Sequence, residues 1–282
     1  MCARWRSDVG RLLELAREEG AHEAVWRACR RGYQRARPYI FKLPVERTPV
    51  PVLFGWFAVR SVLGTDVSDA NPLRLRWVSP ASIEWYHTGP TGEFGSVVDG
   101  DWDTNSIPFT DHPVYRAISR RFQEGIDWES TELYKTYRRR LHEGDPYWRC
   151  TTEEELAAYF SNIDSLHEQI RTEGYRSQRR LLRERPERAR SANTDAPHPA
   201  LNEVALNVYR DGEMGKSWSG THRLSIAKVL DVDRIPVVVR TRHSDWQAVR
   251  DAVRKADSTD ELSPDVAEHL DHPDLVDLPV ER

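Results

Sequence analysis

Lysine is scarce in this chain: 282 residues carry five lysines against 36 arginines. The cations are therefore mostly planar guanidinium forks, suited to gripping carboxylates and phosphates. Cysteine is nearly absent. Cys2, Cys29 and Cys150 have neither metal-ligand spacing nor the numbers for a disulfide framework, which excludes a stapled scaffold and a cysteine-held metal. Long apolar runs are missing too. The most apolar stretch, Pro51–Gly64, is short and carries Arg60, so it is not a membrane span. The opening residues MCARWRSDVG have no apolar signal core, and the expectation is a reduced, cytoplasmic protein. Nor is there a basic excess. At a net charge of −4 the surface as a whole does not attract nucleic acid, and any such site must be local. What is present, 39% hydrophobic and 30% charged residues, is enough for one large domain or two small ones with a buried core.

The stretch Glu203–His243 is the most structured in pattern. Val204, Leu206 and Val208 alternate as a half-buried strand, and Arg210-Asp211-Gly212 signals a turn. A short second run reaches Trp218. Ser219-Gly220-Thr221-His222-Arg223 follows, and a helix begins at once, with Arg223, Leu224, Ile226, Ala227 and Leu230 at helical spacing. Pro236–Arg240 is a continuous valine-rich strand, expected to be buried on both faces. The first amides of a helix lack partners and the helix dipole favours negative charge there. Gly220 admits close approach, Thr221 offers a hydroxyl, and His222 and Arg223 add donors. The expected occupant is an anion, a phosphate above all. The plainer alternative is a helix capped by Thr221, with His222 as an ordinary surface residue and Arg223 as a surface residue or a fold-supporting ion pair.

Gly220-Thr221-His222-Arg223 at a strand-to-helix junction, followed by Ala227-Lys228 and Ile235-Pro236-Val237, resembles the ParB/sulfiredoxin superfamily. The resemblance is specific over residues 201–243 and looser over 73–103. It implies an α/β fold with a small mixed sheet and a nucleotide-phosphate site at Gly220, Thr221, His222 and Arg223. Two departures narrow the branch. Thr221 stands where sulfiredoxins carry their catalytic cysteine, which excludes sulfinic acid repair in its known form. His222 stands where the ParB box has Glu, which favours the free-serine-kinase-like branch or an uncharacterised one.

The remaining chain supplies candidates around that box. Residues 8–35 read as a helical arm ended by Pro38, and 38–72 as a Pro-rich connector with an apolar patch at 53–57. Leu73–Val78 alternates as a strand. The resemblance places a catalytic Glu shortly after this opening, and Glu84 is the candidate general base. Val97–Asp103, if extended, sets Asp99, Asp101 and Asp103 on one face. Asp101 and Asp103 are then the candidate pair for Mg²⁺ or for orienting an acceptor; a polar Asp-Gly turn held by an Arg partner is the alternative. Residues 112–190 read as a helical insertion, with a capping pattern at Thr151–Glu155. An arginine run follows Tyr175; Arg176, at a helix start, is the phosphate candidate within it, and a solvated helix accounts for the rest. Residues 191–200 read as a linker. Arg242 and His243, leaving the last strand, are further phosphate candidates. Residues 256–282, with nine acidic side chains against Arg282, are expected to form a loosely packed acidic tail.

The leading expectation is a nucleotide-dependent phosphotransferase acting on a small substrate. ATP or ADP is the favoured nucleotide, with Mg²⁺ as cofactor. The alternatives are a ParB-like, nucleotide-switched DNA-binding module and a nuclease.

Overall fold

The computed structural model describes residues 67–280, apart from residues 72, 90, 93, 148–149, 186–201 and 218. The helix expected over 8–35, the apolar patch at 53–57 and the linker at 191–200 lie outside the described residues. Residues 73–282 form one compact unit.

That unit is mixed α/β. Seven strands make one sheet: β1 (Arg76–Val78), β2 (Trp85–His87), β3 (Ser96–Val98), β4 (Ser106–Pro108), β5 (Val204–Val208), β6 (Met214–Lys216) and β7 (Ile235–His243). The order is β1-β7-β5-β6-β2-β4, and β3 also pairs with β7. β7 runs parallel to β5 and β3 but antiparallel to β1, and β6 is parallel to β2 but antiparallel to β5. The two halves of the sequence pattern, one near residue 76 and one after residue 203, thus share one sheet. β5 and β7 lie at its centre. Their near-continuous valines are buried on both faces, as a covered parallel pair requires.

Among the described residues seven helices accompany the sheet: α1 (Pro113–Gln123), α2 (Glu132–His142), α3 (Glu153–Glu173), α4 (Gln178–Glu184), α5 (Thr221–Val229), α6 (Ser244–Lys255) and the short α7 (Pro264–Ala267). α1 to α4 occupy the expected insertion. α1 to α3 build their own core around Ile118, Trp128, Leu156 and Phe160, and it reaches Ile226 on α5. α3 starts where its sequence says. Thr152 Oγ1 accepts from Glu155 N at 3.2 Å, and Glu155 reaches back to Thr151 N at 2.8 Å. α5 packs on β5 and β7 through Leu224 and Ala227 against Val204, Leu206, Ile235 and Val237. Further along the same face, Val208 and Val239 meet Trp246 of α6 and Leu275.

Two local expectations are corrected. β3 stops at Val98 and Gly100 turns the chain at φ +88°, so Asp101–Thr104 is a 3-10 turn and not an extended stretch. The acidic C-terminal segment is not loose. Leu275 and Asp274 are each 1% exposed. Asp274 accepts two hydrogen bonds from Arg242, at 2.7 and 2.6 Å, and one from Trp246 Nε1 at 3.1 Å. Composition misled because these carboxylates find arginines in the core, where an ion pair with further hydrogen bonds tolerates burial.

Candidate functional site

The box residues open α5, and Gly220 sets the geometry. Its φ of +86° is left-handed, and a Cβ there would lie 2.8 Å from Val204 Cα. Only glycine permits this contact between the helix start and the first residue of β5. Glycine also brings no side chain to cap the helix, so the first amides keep their appetite for an acceptor. Upstream, Ser217 N donates to Ala205 O at 2.8 Å and Ser219 Oγ to Glu203 O at 2.7 Å. These bonds hold the connection from β6 against β5 and aim α5 from the end of β6.

Lys216 and the imidazoles of His112 and His222 come together near this helix start. Lys216, the last residue of β6, is fully buried, with its Nζ 5.8 Å from the Tyr86 ring centroid and donating to Ser217 O. His112 caps α1, its Nδ1 accepting from Val114 N at 3.2 Å. That bond assigns the neutral ring's proton to Nε2, which is left as a donor. The His112 ring lies 4.2 Å from Tyr86. His222 Nε2 lies 2.7 Å from the hydroxyl of Tyr159 on α3. Burial first, then the charge of Lys216, pushes His112 down to about 4. His222 is also pushed down to about 4, by burial and then by His112, Lys216 and Arg223. Each charge acting on these two imidazoles has the same sign. An anion would relieve that potential.

The other candidates lie elsewhere. Arg223, the third residue of α5, turns away into the fold. It is 8% exposed, 3.5 Å from Glu203 Oε2, and donates to Asn202 O. Glu203 also accepts from Gln178 N at 2.7 Å, and its carboxyl is pushed up by burial against the pull of Arg223. Arg223 is thus the fold-supporting ion pair and not the expected phosphate fork. Arg176 pairs with Glu173 at 3.3 Å. Arg180 and Arg185 are also paired, with Glu184 and Glu173, so these three arginines answer carboxylates of the same surface rather than standing ready as phosphate grips. Arg242 is 1% exposed and committed to Asp274. His243 is 2% exposed and caps α6, with Nδ1 accepting from Asp245 N at 3.1 Å and Nε2 2.8 Å from Gly100 O. Neither faces an anion site.

The acidic candidates are separated from the box. Arg210 Nη2 lies 2.8 Å from Asp101 and 2.7 Å from Asp103, and Arg210 Nε 2.8 Å from the second oxygen of Asp103. These bonds hold the Asp103 carboxyl below its usual range. They satisfy the pair through an arginine where a metal was expected. The pair also sits beyond the far end of β5. Six residues of strand from Val204 to Arg210 put it roughly 20 Å from the start of α5. Among the described residues, no group of three or more His, Cys, Asp or Glu is arranged to hold a metal. Glu84 is exposed and acts on Lys228. Lys228 follows Thr221 by seven residues, about 10 Å along the helix, so Glu84 stands at the wrong end of α5 to serve as a base there.

Lys216, His112, Tyr86 and Tyr159 were not singled out in the sequence. Asp111-His112-Pro113 is a legible helix start, and Lys216 lies four residues before Gly220. Nothing local joins either to His222; the β2–β6 and β5–β6 pairings do. Comparison with protein-family models, with curated proteins and with solved structures finds no match to this chain. The resemblance to the ParB/sulfiredoxin superfamily therefore rests on its motif residues alone.

Proposed function

We propose that this chain is a ParB/sulfiredoxin-type protein that binds the phosphates of a nucleotide at the start of α5. The observation that carries the reading is a glycine-opened helix start whose second residue, His222, is held by Tyr159 at 2.7 Å, with the buried Lys216 and His112 both set against the Tyr86 ring and both acting on His222. Backbone amides there supply fixed donors, the helix dipole favours the anion, and Lys216 supplies charge in a shielded setting where it counts for more than in water. Thr221 and His222 hold the phosphate, with Lys216 and His112 behind them. Tyr159 fixes the His222 ring.

Phosphoryl transfer to a small acceptor would need a base and a metal site at the same place. Glu84, Asp101 and Asp103 stand apart from it, so the reading is of a binding site for nucleotide phosphate first and of a kinase second. A DNA-binding reading finds less support, because Arg176, Arg180 and Arg185 are already paired. No helix among the described residues is long and apolar enough to cross a membrane.

The test is a thermal-shift series with ATP, ADP, CTP, GTP and inorganic tripolyphosphate, each with and without Mg²⁺. Stabilisation by tripolyphosphate and by at least one nucleotide is expected, since a ligand that binds only the folded state raises its stability. No shift with any of them would remove the proposal.

A further inference from the structure

We infer that Lys228 and the hollow at the end of α5 form a site for a small, neutral carbonyl compound, an aldehyde or ketone, which the lysine holds as an imine. The site stands apart from the phosphate reading, because Lys228 lies roughly 10 Å along α5 from Thr221. The hollow holds about 280 Å³ and is open to solvent on one side. That is just below the roughly 300 Å³ at which sites for drug-sized ligands begin, so its occupant is small.

The walls define that occupant. Pro80, Ala81, Ala227 and Val232 supply apolar surface, and Thr110, Tyr115, Lys228 and Asp231 supply polar groups. The end of α5 is a fixed wall: Val232 N donates to Ala227 O at 2.9 Å and Asp231 N to Lys228 O at 3.2 Å. The charges are mixed, since Asp231 lines the hollow and Glu84 acts on Lys228. A free anion meets these carboxylates, and a free cation meets the lysine. The complement is a neutral molecule with an apolar body and one polarised group.

Lys228 is the amine that the fold leaves uncommitted. Of the other described lysines, Lys135 pairs with Glu132 at 3.0 Å, Lys216 is fully buried, and Lys255 is exposed at the end of α6. Lys228 is half-buried. Among the described residues it has no ion pair; it donates to Ala81 O at 3.4 Å and lies 5.6 Å from the Phe109 ring centroid. Burial holds its ammonium below the ordinary lysine range, against the pull of Glu84. A desolvated lysine keeps more of its amine unprotonated, the form that attacks a carbonyl carbon. The step balances without an oxidant or reductant. Nζ adds to the carbonyl carbon, and the carbonyl oxygen takes a proton from the hydroxyl of Thr110 or Tyr115. The nitrogen gives up its two protons. One restores that hydroxyl, and the other leaves with the oxygen as water when the carbon–oxygen bond breaks.

The experiment is reductive trapping on the full chain at neutral pH. Propanal is the probe, glyoxylate its anionic counterpart, and sodium cyanoborohydride fixes any imine. Peptide mass spectrometry reads the extent of modification at each lysine. Propanal should be trapped on Lys228 at least about fivefold faster than on Lys255, the gain of a desolvated amine beside a bound reactant. The rate at Lys228 should level off as propanal rises, whereas the rate at Lys255 should rise in proportion. Glyoxylate should show no such preference. Ala81→Trp narrows the hollow from an exposed position, and it should bring Lys228 down to the rate of Lys255. Equal propanal rates at the two lysines of the parent would overturn the site. So would a Lys228 rate that never levels off, or a preference that Ala81→Trp leaves intact. A glyoxylate preference as strong as that for propanal would overturn the neutral occupant.

Discussion

Two charged regions of this molecule are built by opposite rules. Around Asp274, the charges acting most strongly on the carboxylate are of opposite sign, namely Arg242, Arg250 and Arg76. Asp103 is likewise answered by Arg210. At the start of α5 the charges acting on His222 belong to His112, Lys216 and Arg223, all of the sign that opposes its protonation. A buried charge with its counter-charge in the same chain belongs to the architecture. At the start of α5, burial and the charges of Lys216 and Arg223 hold the imidazoles neutral, and no carboxylate is among the groups acting on them, so an anion would have to come from outside. On the proposed reading this contrast, more than the type of residue, separates structural from binding groups: by type alone Arg242, Asp103 and His222 were equal candidates.

The comparison breaks first at Asp274. Asp274→Asn leaves Arg242 without its anion, while Arg76 and Arg250 keep Asp277 at 2.9 and 3.5 Å, and breaking a buried pair typically costs about 3–5 kcal/mol. Urea denaturation should show a loss of that order, with tripolyphosphate affinity of the folded fraction unchanged. A loss under about 1 kcal/mol would mean that the C-terminal segment is not held by this carboxylate.

Lys216→Met tests the other side. A hydrogen bond to a charged group contributes about 1.5–3 kcal/mol, so tripolyphosphate should bind tenfold or more weakly. Because the substitution also removes a buried charge from a like-signed cluster, thermal stability without ligand should hold or rise. A fall in stability with affinity intact would place Lys216 among the architectural charges instead.

The pH dependence sharpens the contrast further. His112, His222 and His272 are each pushed down to about 4, burial being the first cause in each. The unfolded chain, titrating near 6.5, binds more protons than the folded one between those values. Stability is therefore full above about pH 6.5 and is lost as the pH falls towards 4, on the order of 1–3 kcal/mol for each imidazole. A bound phosphate should raise His112 and His222 and leave His272 where it is. Imidazole resonances followed by NMR across pH 4–7, with and without tripolyphosphate, check this. Equal movement of all three would mean that the anion acts on the fold as a whole.

The smallest effect belongs to Asp101. Its side chain is 83% exposed at the edge of the Arg210 cluster, so Asp101→Asn should change stability by less than about 1 kcal/mol. It should also leave any Mg²⁺ dependence of nucleotide binding unaltered. Loss of that dependence would restore the carboxylate to a metal site.

What the sequence disclosed follows the range over which a signal acts. The alternation at Val204–Val208, the valine run of β7 and the capping residues of α3 operate over a few positions and are readable there. Gly220 is readable because its neighbours already spell a strand-to-helix junction. Charge partnerships are not local. Arg242 meets Asp274 32 positions away, and Arg210 meets Asp103 107 positions away. No window of sequence contains both members. The gathering of His112 and Lys216 near His222 depends likewise on β6 lying beside both β2 and β5. The extended reading of 97–103 failed at one residue, Gly100, whose positive φ replaces a strand by a turn.

The contact of Gly220 with Val204 has a consequence for descent. Backbone rests on backbone there, and a Cβ would fall 2.8 Å from the Val204 Cα. Trimming Val204 would remove its Cγ2, at 3.0 Å, but not the backbone Cα and N at 2.8 and 3.1 Å, so mutational drift cannot be absorbed by a smaller neighbour. Any relative that keeps this sheet and this helix must keep glycine at the equivalent place.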